Sequence, residues 1–201
     1  MSFNLIEEIK PDIDKSVLIY TRKEICAKCN GFCCKTAAGI YLPEDFKVPI
    51  TTAFVLHLLM TKMFTIDSVG DGDDVTYFIR PRHIEEDPIA PEIYGGICIN
   101  FKSEVGCLLS EEERPFQCRT LIPLADGVYC KHKDSDKARK ADIVPRWSEC
   151  QNEISLARSI YKKLSNTISY VYEFDSEGRY PDVYKNLNEI ISQIESIIGK
   201  I

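Results

Sequence analysis

The C-terminal quarter of the chain carries two stripes of apolar side chains at helical spacing. In the first stripe, apolar residues recur every three or four positions from Ile154 to Val171. This spacing predicts an amphipathic helix over 148–172. A polar break that contains Gly178 and Pro181 follows. Both residue types disfavour the interior of a helix, so we expect the first helix to end before them.

The second stripe runs from Val183 to Ile198 and predicts a helix over 182–199. We expect the apolar face of each helix to pack on the other helix or on the preceding part of the chain. Residues 151–201 would then form a C-terminal helical extension that is packed on the rest of a single domain. The alternative is a pair of helices that dimerises, because a second copy can also cover an amphipathic face.

The middle of the chain combines an apolar run with a pair of short strands around a turn. Residues 50–64 are mostly apolar with helical spacing, and we interpret His57 within them as a packed or surface side chain rather than a metal ligand. The segment 69–74 is rich in glycine and aspartate, and apolar or β-branched residues flank it at 64–66 and 75–79. This arrangement predicts a β-hairpin.

The charge of the chain limits its partners. Its 201 residues include 31 Asp and Glu against 25 Lys and Arg, for a net charge of -6. An acidic chain argues against general nucleic-acid binding, which uses a basic surface. No window reaches the roughly 18 apolar residues of a membrane span, and the first residues do not resemble a secretory signal. We therefore expect a cytoplasmic protein with no nucleic-acid or membrane partner, whose thiols stay reduced.

The densest chemical feature is the sequence CAKCNGFCC, which places Cys26, Cys29, Cys33 and Cys34 within nine residues. The spacing of the first pair lets two thiolates hold one metal from a tight loop. Gly31 lets the backbone fold back. Cys33 and Cys34 are adjacent and cannot both point at one ion from regular backbone, so the chain bends there or the two sulfurs have different roles. Disulfides or inert buried thiols are the alternative.

Five further cysteines bring the total to nine, namely Cys98, Cys107, Cys118, Cys130 and Cys150. An odd number fits complete disulfide pairing poorly, and clustered cysteines in a reducing compartment usually serve metal or redox chemistry. Cys150, which follows Trp147, is a candidate eighth ligand. Cys130 is the weakest candidate, and we predict that it is not a ligand even though His132 lies two residues further on.

The four-cysteine opening, the segments around Cys98 and Cys107, and the stretch RPFQCRTLIPL around Cys118 resemble the YkgJ-type cysteine-cluster family. That family is also described as the CxxCxxCC zinc- or iron-chelating domain. The resemblance extends from Cys26 to Pro123 and implies a metal centre. It also implies the ligands of that centre, which are Cys26, Cys29, Cys33, Cys34, Cys98, Cys107 and Cys118.

The chemistry of the candidate ligands limits the identity of the metal. An almost purely thiolate set excludes magnesium and calcium, which prefer oxygen, and leaves zinc or an iron–sulfur cluster. Zinc favours paired Cys-x-x-Cys units, and the chain has only one, Cys26 with Cys29. Thiols beyond four suit a cluster or an accessory redox pair. We therefore favour a 4Fe–4S cluster, with zinc as the alternative, and interpret Arg119 as a hydrogen-bond donor to a ligand sulfur or a nearby carboxylate.

The expected fold is α+β, with an irregular cysteine-rich metal-binding core of short strands over 16–150 and the two C-terminal amphipathic helices packed on it. Two classes of function fit this picture. One is a metalloprotein whose centre supports redox chemistry or the modification of a peptide, since flagellin lysine N-methylases carry a comparable cysteine cluster. The other is a zinc-stabilised module that binds a protein partner without catalysis. The sequence contains no glycine-rich nucleotide loop or Ser-His-Asp pattern that would identify a catalytic base.

Overall fold

The computed structural model describes residues 30–36, 38–89, 96–123, 130–132, 143–164 and 182–200. Its helices are α1 (Phe32–Thr36), α2 (Thr52–Met60), α3 (Phe116–Arg119), α4 (Gln151–Leu164) and α5 (Leu187–Ile198). Its strands are β1 (Phe64–Val69), β2 (Thr76–Pro81), β3 (Phe101–Lys102), β4 (Gly106–Cys107), β5 (Leu121–Pro123) and β6 (Cys130–His132). They form three antiparallel pairs, β1–β2, β3–β4 and β5–β6. Residues 143–148 are also helical, and Pro43–Asp45 and Gly72–Asp74 form short 3₁₀ helices. The fold is α+β, as the sequence predicts.

Helix α2 is buried on every side and forms the centre of the core. Eight of its nine residues are buried, and a helix that is apolar all round belongs in an interior. Thr51 caps its start, because the side-chain oxygen accepts the N–H of Phe54 at 3.2 Å. His57 is 1 % exposed and hydrogen-bonds through Nε2 to the carbonyl of Val183 at 2.8 Å. Burial lowers the pKa of His57, so it is a packed side chain, as predicted.

Strands β1 and β2 form the hairpin that the sequence predicts. Phe64 pairs with Pro81 at the open end, and Val69 pairs with Thr76 beside the turn. The turn requires Gly70, whose φ is +99°, because a Cβ there would lie 2.3 Å from a backbone oxygen. The hairpin packs against α2 through β1 and against α4 through β2.

Helices α4 and α5 both pack on α2. Ile154, Ala157 and Ile160 of α4 are buried, and so are Leu187 and Ile194 of α5. The two apolar stripes are therefore part of the core. Each stripe covers the central helix, and contact between α4 and α5 is minor by comparison.

Both C-terminal helices begin later than the stripes predict. Residues 149–150 form a turn between the helical residues 143–148 and α4. Residues 165–172 of the first predicted helix lie outside the described part of the chain. The second helix begins later than predicted because 183–186 form turns and Asn186 has a left-handed φ of 56°. In the described part of the chain, no helix is both long and apolar enough to span a membrane.

A buried ion network lies beside the hairpin. Arg80 is 4 % exposed and donates to Glu86 at 2.9 and 2.5 Å and to Asp67 at 2.7 Å. Glu86 also accepts the backbone N–H of His83 at 2.8 Å. Burial by itself raises the pKa of Glu86, but the hydrogen bonds from His83 and Arg80 outweigh it and lower the pKa to about 2.

Replacing Glu86 with Gln should lower the free energy of unfolding at neutral pH by about 3–5 kcal/mol, because Arg80 stays charged and loses its buried partner. The pKa of Glu86 lies below its ordinary value of 4.5 in the folded chain. Its contribution is therefore complete above that pH and is lost as the pH falls towards 2. Urea denaturation should show the difference between wild type and variant shrinking over this range. If the difference in unfolding free energy between wild type and Glu86→Gln does not change with pH, the Arg80–Glu86 ion pair is not its source. Glu195→Gln, at an exposed position, is the control.

Replacing Ile194 with Ala should lower the free energy of unfolding by about 2–5 kcal/mol, because it removes buried methyl groups between α5 and α2. Ile194 is 2 % exposed, whereas Leu156 on the outer face of α4 is 51 % exposed. Leu156→Ala is therefore the matched control and should change stability by less than about 0.5 kcal/mol. Equal losses in the two variants, measured by urea denaturation, would show that the α5 stripe is not core.

Candidate metal centre

Helix α1 presents the two described cysteines of the N-terminal cluster. Asn30 and Gly31 lead into it with left-handed φ values of 52° and 64°. A Cβ on Gly31 would lie 2.0 Å from the ring of Phe101, so only glycine fits this turn, in agreement with the predicted bend. Cys33 and Cys34 follow, with sulfur atoms 3.9 Å apart.

The second cysteine segment is joined directly to α1. The N–H of Cys98 donates to the carbonyl of Cys34 at 2.7 Å. Cys98 also pairs with His83 in an isolated antiparallel bridge. Cys107 pairs with Phe101 across β3 and β4. Backbone hydrogen bonds therefore hold cysteines from distant parts of the sequence in one region.

Helix α3 brings Cys118 to the same region. Asp45 accepts the N–H of Phe116, the first residue of α3, at 2.9 Å. Gln117 exchanges two hydrogen bonds with the backbone of Ile40, one through its side-chain oxygen at 2.9 Å and one through its N–H at 3.2 Å. These contacts fix the position of α3, and hence of Cys118, against the segment that follows α1.

Five cysteines line one cavity of about 240 Å³, and apolar side chains with Thr36, Asn100 and Gln117 complete its wall. The five are Cys33, Cys34, Cys98, Cys107 and Cys118. All five are free thiols in the structure. The structure therefore brings together five of the eight predicted ligands, from separate segments of the chain.

Cys150 lies apart from this cavity. The neighbouring Trp147 is fully buried, and the Cys150 thiol packs on the hydrophobic core beside it. Burial raises the pKa of Cys150 and nearby carboxylates raise it further. The predicted ligands Cys26 and Cys29 lie outside the described residues, and only the backbone of Cys130 is described.

Burial favours the protonated form of most of these thiols. It raises the pKa of Cys98 to about 12 and also raises those of Cys107 and Cys118. The hydrogen bond between the adjacent thiols lowers the pKa of Cys33 to about 7 and raises that of Cys34. A soft cation in the cavity would displace these protons and compensate the buried negative charge of the thiolates.

Arg114 is a cation that acts on the cysteines. It is 5 % exposed and favours the thiolate forms of Cys107 and Cys33. Arg80 favours the thiolate form of Cys98. Arg119, the donor that the sequence suggests, pairs with the carboxylate of Asp45 and donates to the carbonyl of Arg114. The carboxylate alternative for Arg119 is therefore the one observed. Both arginines flank Cys118 in the sequence, and only the structure distinguishes their roles.

Within the described residues, no group of three or more His, Cys, Asp or Glu side chains is arranged to hold a metal ion. The five thiols therefore share a cavity without forming a closed coordination sphere. Their chemistry nevertheless fits a soft metal centre. Asn100 also lines the cavity, and its buried side-chain amide has no hydrogen-bond partner in this structure.

Comparison with protein-family models, with curated proteins and with solved structures finds no match to this chain. The resemblance to the YkgJ-type cysteine-cluster family therefore stays a prediction that depends on the sequence segments quoted above.

Replacing Gly39 with Ala should disturb the position of Cys118, because a Cβ on Gly39 would lie 2.3 Å from the Cys118 sulfur. We expect the free energy of unfolding to fall by about 1–3 kcal/mol and Cys118 to become more reactive towards an alkylating agent. Denaturation and mass spectrometry of the alkylated chain measure the two effects. Gly199→Ala is the control, because the nearest atom to its added Cβ would be 3.5 Å away. Equal stability and thiol reactivity in both variants would contradict this packing.

Proposed function

We propose that this chain is a metal-binding protein whose cysteine thiolates hold an iron–sulfur cluster of the 4Fe–4S type. The observation that carries the proposal is the presence of five free thiols, from three separate segments, around one cavity. In a reducing compartment, a buried set of thiols of this size is typical of soft-metal binding rather than of disulfide formation.

The size and the donors of the cavity favour a cluster over a single zinc ion. Zinc holds four sulfurs at about 2.3 Å, so a zinc site is compact. The cavity of about 240 Å³ offers more space than one ion fills. Backbone N–H groups also donate to the sulfurs of Cys98, Cys107 and Cys118. Hydrogen bonds to sulfur are one of the means by which proteins set the reduction potential of a cluster.

The proposed role is redox chemistry or the modification of a peptide, in the cytoplasm and without nucleic acid. A bound cluster supplies one-electron transfer, and the residues of this chain would hold it and limit its contact with water. A protein or peptide is the proposed partner. Phe32 borders the cavity and is 52 % exposed, and Ile84 and Ile97, linked by a backbone hydrogen bond beside Cys98, are 50 % and 43 % exposed. Exposed apolar side chains near a site are typical of docking surfaces.

Protein purified without oxygen should be brown, absorb broadly near about 400 nm, and contain iron and acid-labile sulfide. Cys118→Ser should lose most of this iron, because Cys118 lines the cavity. Cys150→Ser is the matched control and should retain it, because Cys150 packs on the hydrophobic core. Elemental analysis and the visible spectrum of the three proteins measure the effect.

The same measurements separate the alternatives. If the protein is colourless and contains stoichiometric zinc but no sulfide, the iron–sulfur proposal is wrong and the zinc-stabilised interaction module is supported. Protein that takes up neither metal would overturn metal binding altogether. Equal loss of iron from Cys118→Ser and Cys150→Ser would show that the cavity is not where the cluster binds. A further variant, Cys29→Ser, tests whether the Cys-x-x-Cys pair contributes ligands.

A further inference from the structure

Asn100 occupies an unusual position in the wall of the cysteine cavity. It lies between Cys98 and strand β3 and is 1 % exposed. Its backbone is fully used, because its N–H donates to the sulfur of Cys98 and its carbonyl accepts the N–H of Leu108 at 2.8 Å. Its side-chain nitrogen and oxygen, by contrast, have no hydrogen-bond partner among the described residues.

A buried amide whose nitrogen and oxygen have no hydrogen bond needs a partner from within the cavity. Each buried donor or acceptor without a hydrogen bond costs about 1–3 kcal/mol, and an apolar residue of the same shape avoids that cost. Asn100 lines the cavity that five thiols share. A thiolate bound to a metal keeps negative charge on sulfur and accepts hydrogen bonds from N–H groups.

The pattern of donors around the sulfurs indicates which end of the amide is used. Hydrogen bonding from backbone N–H groups favours the thiolate forms of Cys98, Cys107 and Cys118. Arg114 favours the thiolate form of Cys107 as well. A side-chain N–H from Asn100 adds a donor of the same kind.

We propose that Asn100 is a positioning residue that donates a hydrogen bond from Nδ2 to a sulfur of the bound metal centre. The inference rests on the proposed function, because this hydrogen bond forms only when the metal centre is bound. Asn100 then stabilises the metal-bound chain relative to the metal-free chain. Residues with this role typically contribute 10- to 100-fold to metal affinity.

The test uses Co²⁺ as the probe, because its thiolate complexes have charge-transfer bands whether the native centre is zinc or iron–sulfur. Asn100→Leu removes both polar atoms at nearly constant volume. In the full-length chain without oxygen, the variant should bind Co²⁺ about 10- to 100-fold more weakly. Its sulfur-to-cobalt band should move to longer wavelength, because an N–H bond to sulfur lowers the energy of the sulfur electrons. The stability of the metal-free chain should not fall.

Gln117→Met is the matched control. Gln117 also lines the cavity, but its side-chain oxygen already accepts the N–H of Ile40 at 2.9 Å. Its replacement should lower the stability of the metal-free chain and leave the position of the charge-transfer band unchanged. The two variants should therefore affect different measured quantities.

Each outcome decides one of the two proposals. If wild-type protein binds no Co²⁺ through sulfur, the role of Asn100 fails, whereas the iron, sulfide and zinc content of the protein decides the proposed function separately. If wild type and Asn100→Leu bind Co²⁺ with equal affinity and the same band position, only the role of Asn100 fails. A loss of stability in metal-free Asn100→Leu with an unshifted band would show a structural role for Asn100 and would overturn the inference.

Discussion

The need to cover helix α2 is the constraint on which the rest of the fold depends. A helix that is apolar on every face cannot lie at a surface, so β1, α4 and α5 pack around it. Phe46 and Trp147, with ring centroids 6.4 Å apart, extend the same core. Each large apolar side chain that is fully buried contributes about 1.5–3 kcal/mol. This core contributes stability of its own, in addition to any contribution from the cysteine cavity.

The cysteine segments are attached to that core by backbone hydrogen bonds. The N–H of Tyr41 donates to the carbonyl of Ile79, and the N–H of Ile99 donates to the carbonyl of Arg82 at the end of the hairpin. The ion network contributes through His83, whose Nε2 accepts the N–H of Ala38 in the cavity wall at 3.1 Å. The cavity is therefore positioned by a rigid scaffold before any ligand binds, which is the arrangement that gives a site defined geometry.

Short patterns in the sequence predict the elements whose conformation depends mainly on neighbouring residues. The hairpin follows from the glycine and aspartate turn at 69–74, and the two C-terminal helices follow from their apolar stripes. Gly31 is predictable because a chelating loop needs a bend. The convergence of five cysteines is only partly predictable, since spacing and resemblance select the residues but do not place them in space.

Other parts of the site depend on contacts that no local pattern reveals. Asp45 reaches Arg119 across 74 residues of sequence, and the choice between the two arginines that flank Cys118 depends on that contact. The unpartnered amide of Asn100 is visible only once the cavity exists. Cys150 is a candidate ligand in the sequence, yet the structure places it beside the buried Trp147, against the hydrophobic core and outside the cavity.

The central position of α2 has a consequence for the synthesis of the protein. Residues 52–60 are synthesised before the helices that cover them, which lie at 151–164 and 187–198. Until those two helices have been made, the most apolar helix in the described chain is only partly covered. Contacts between such distant segments slow folding and leave aggregation-prone surface exposed in the meantime.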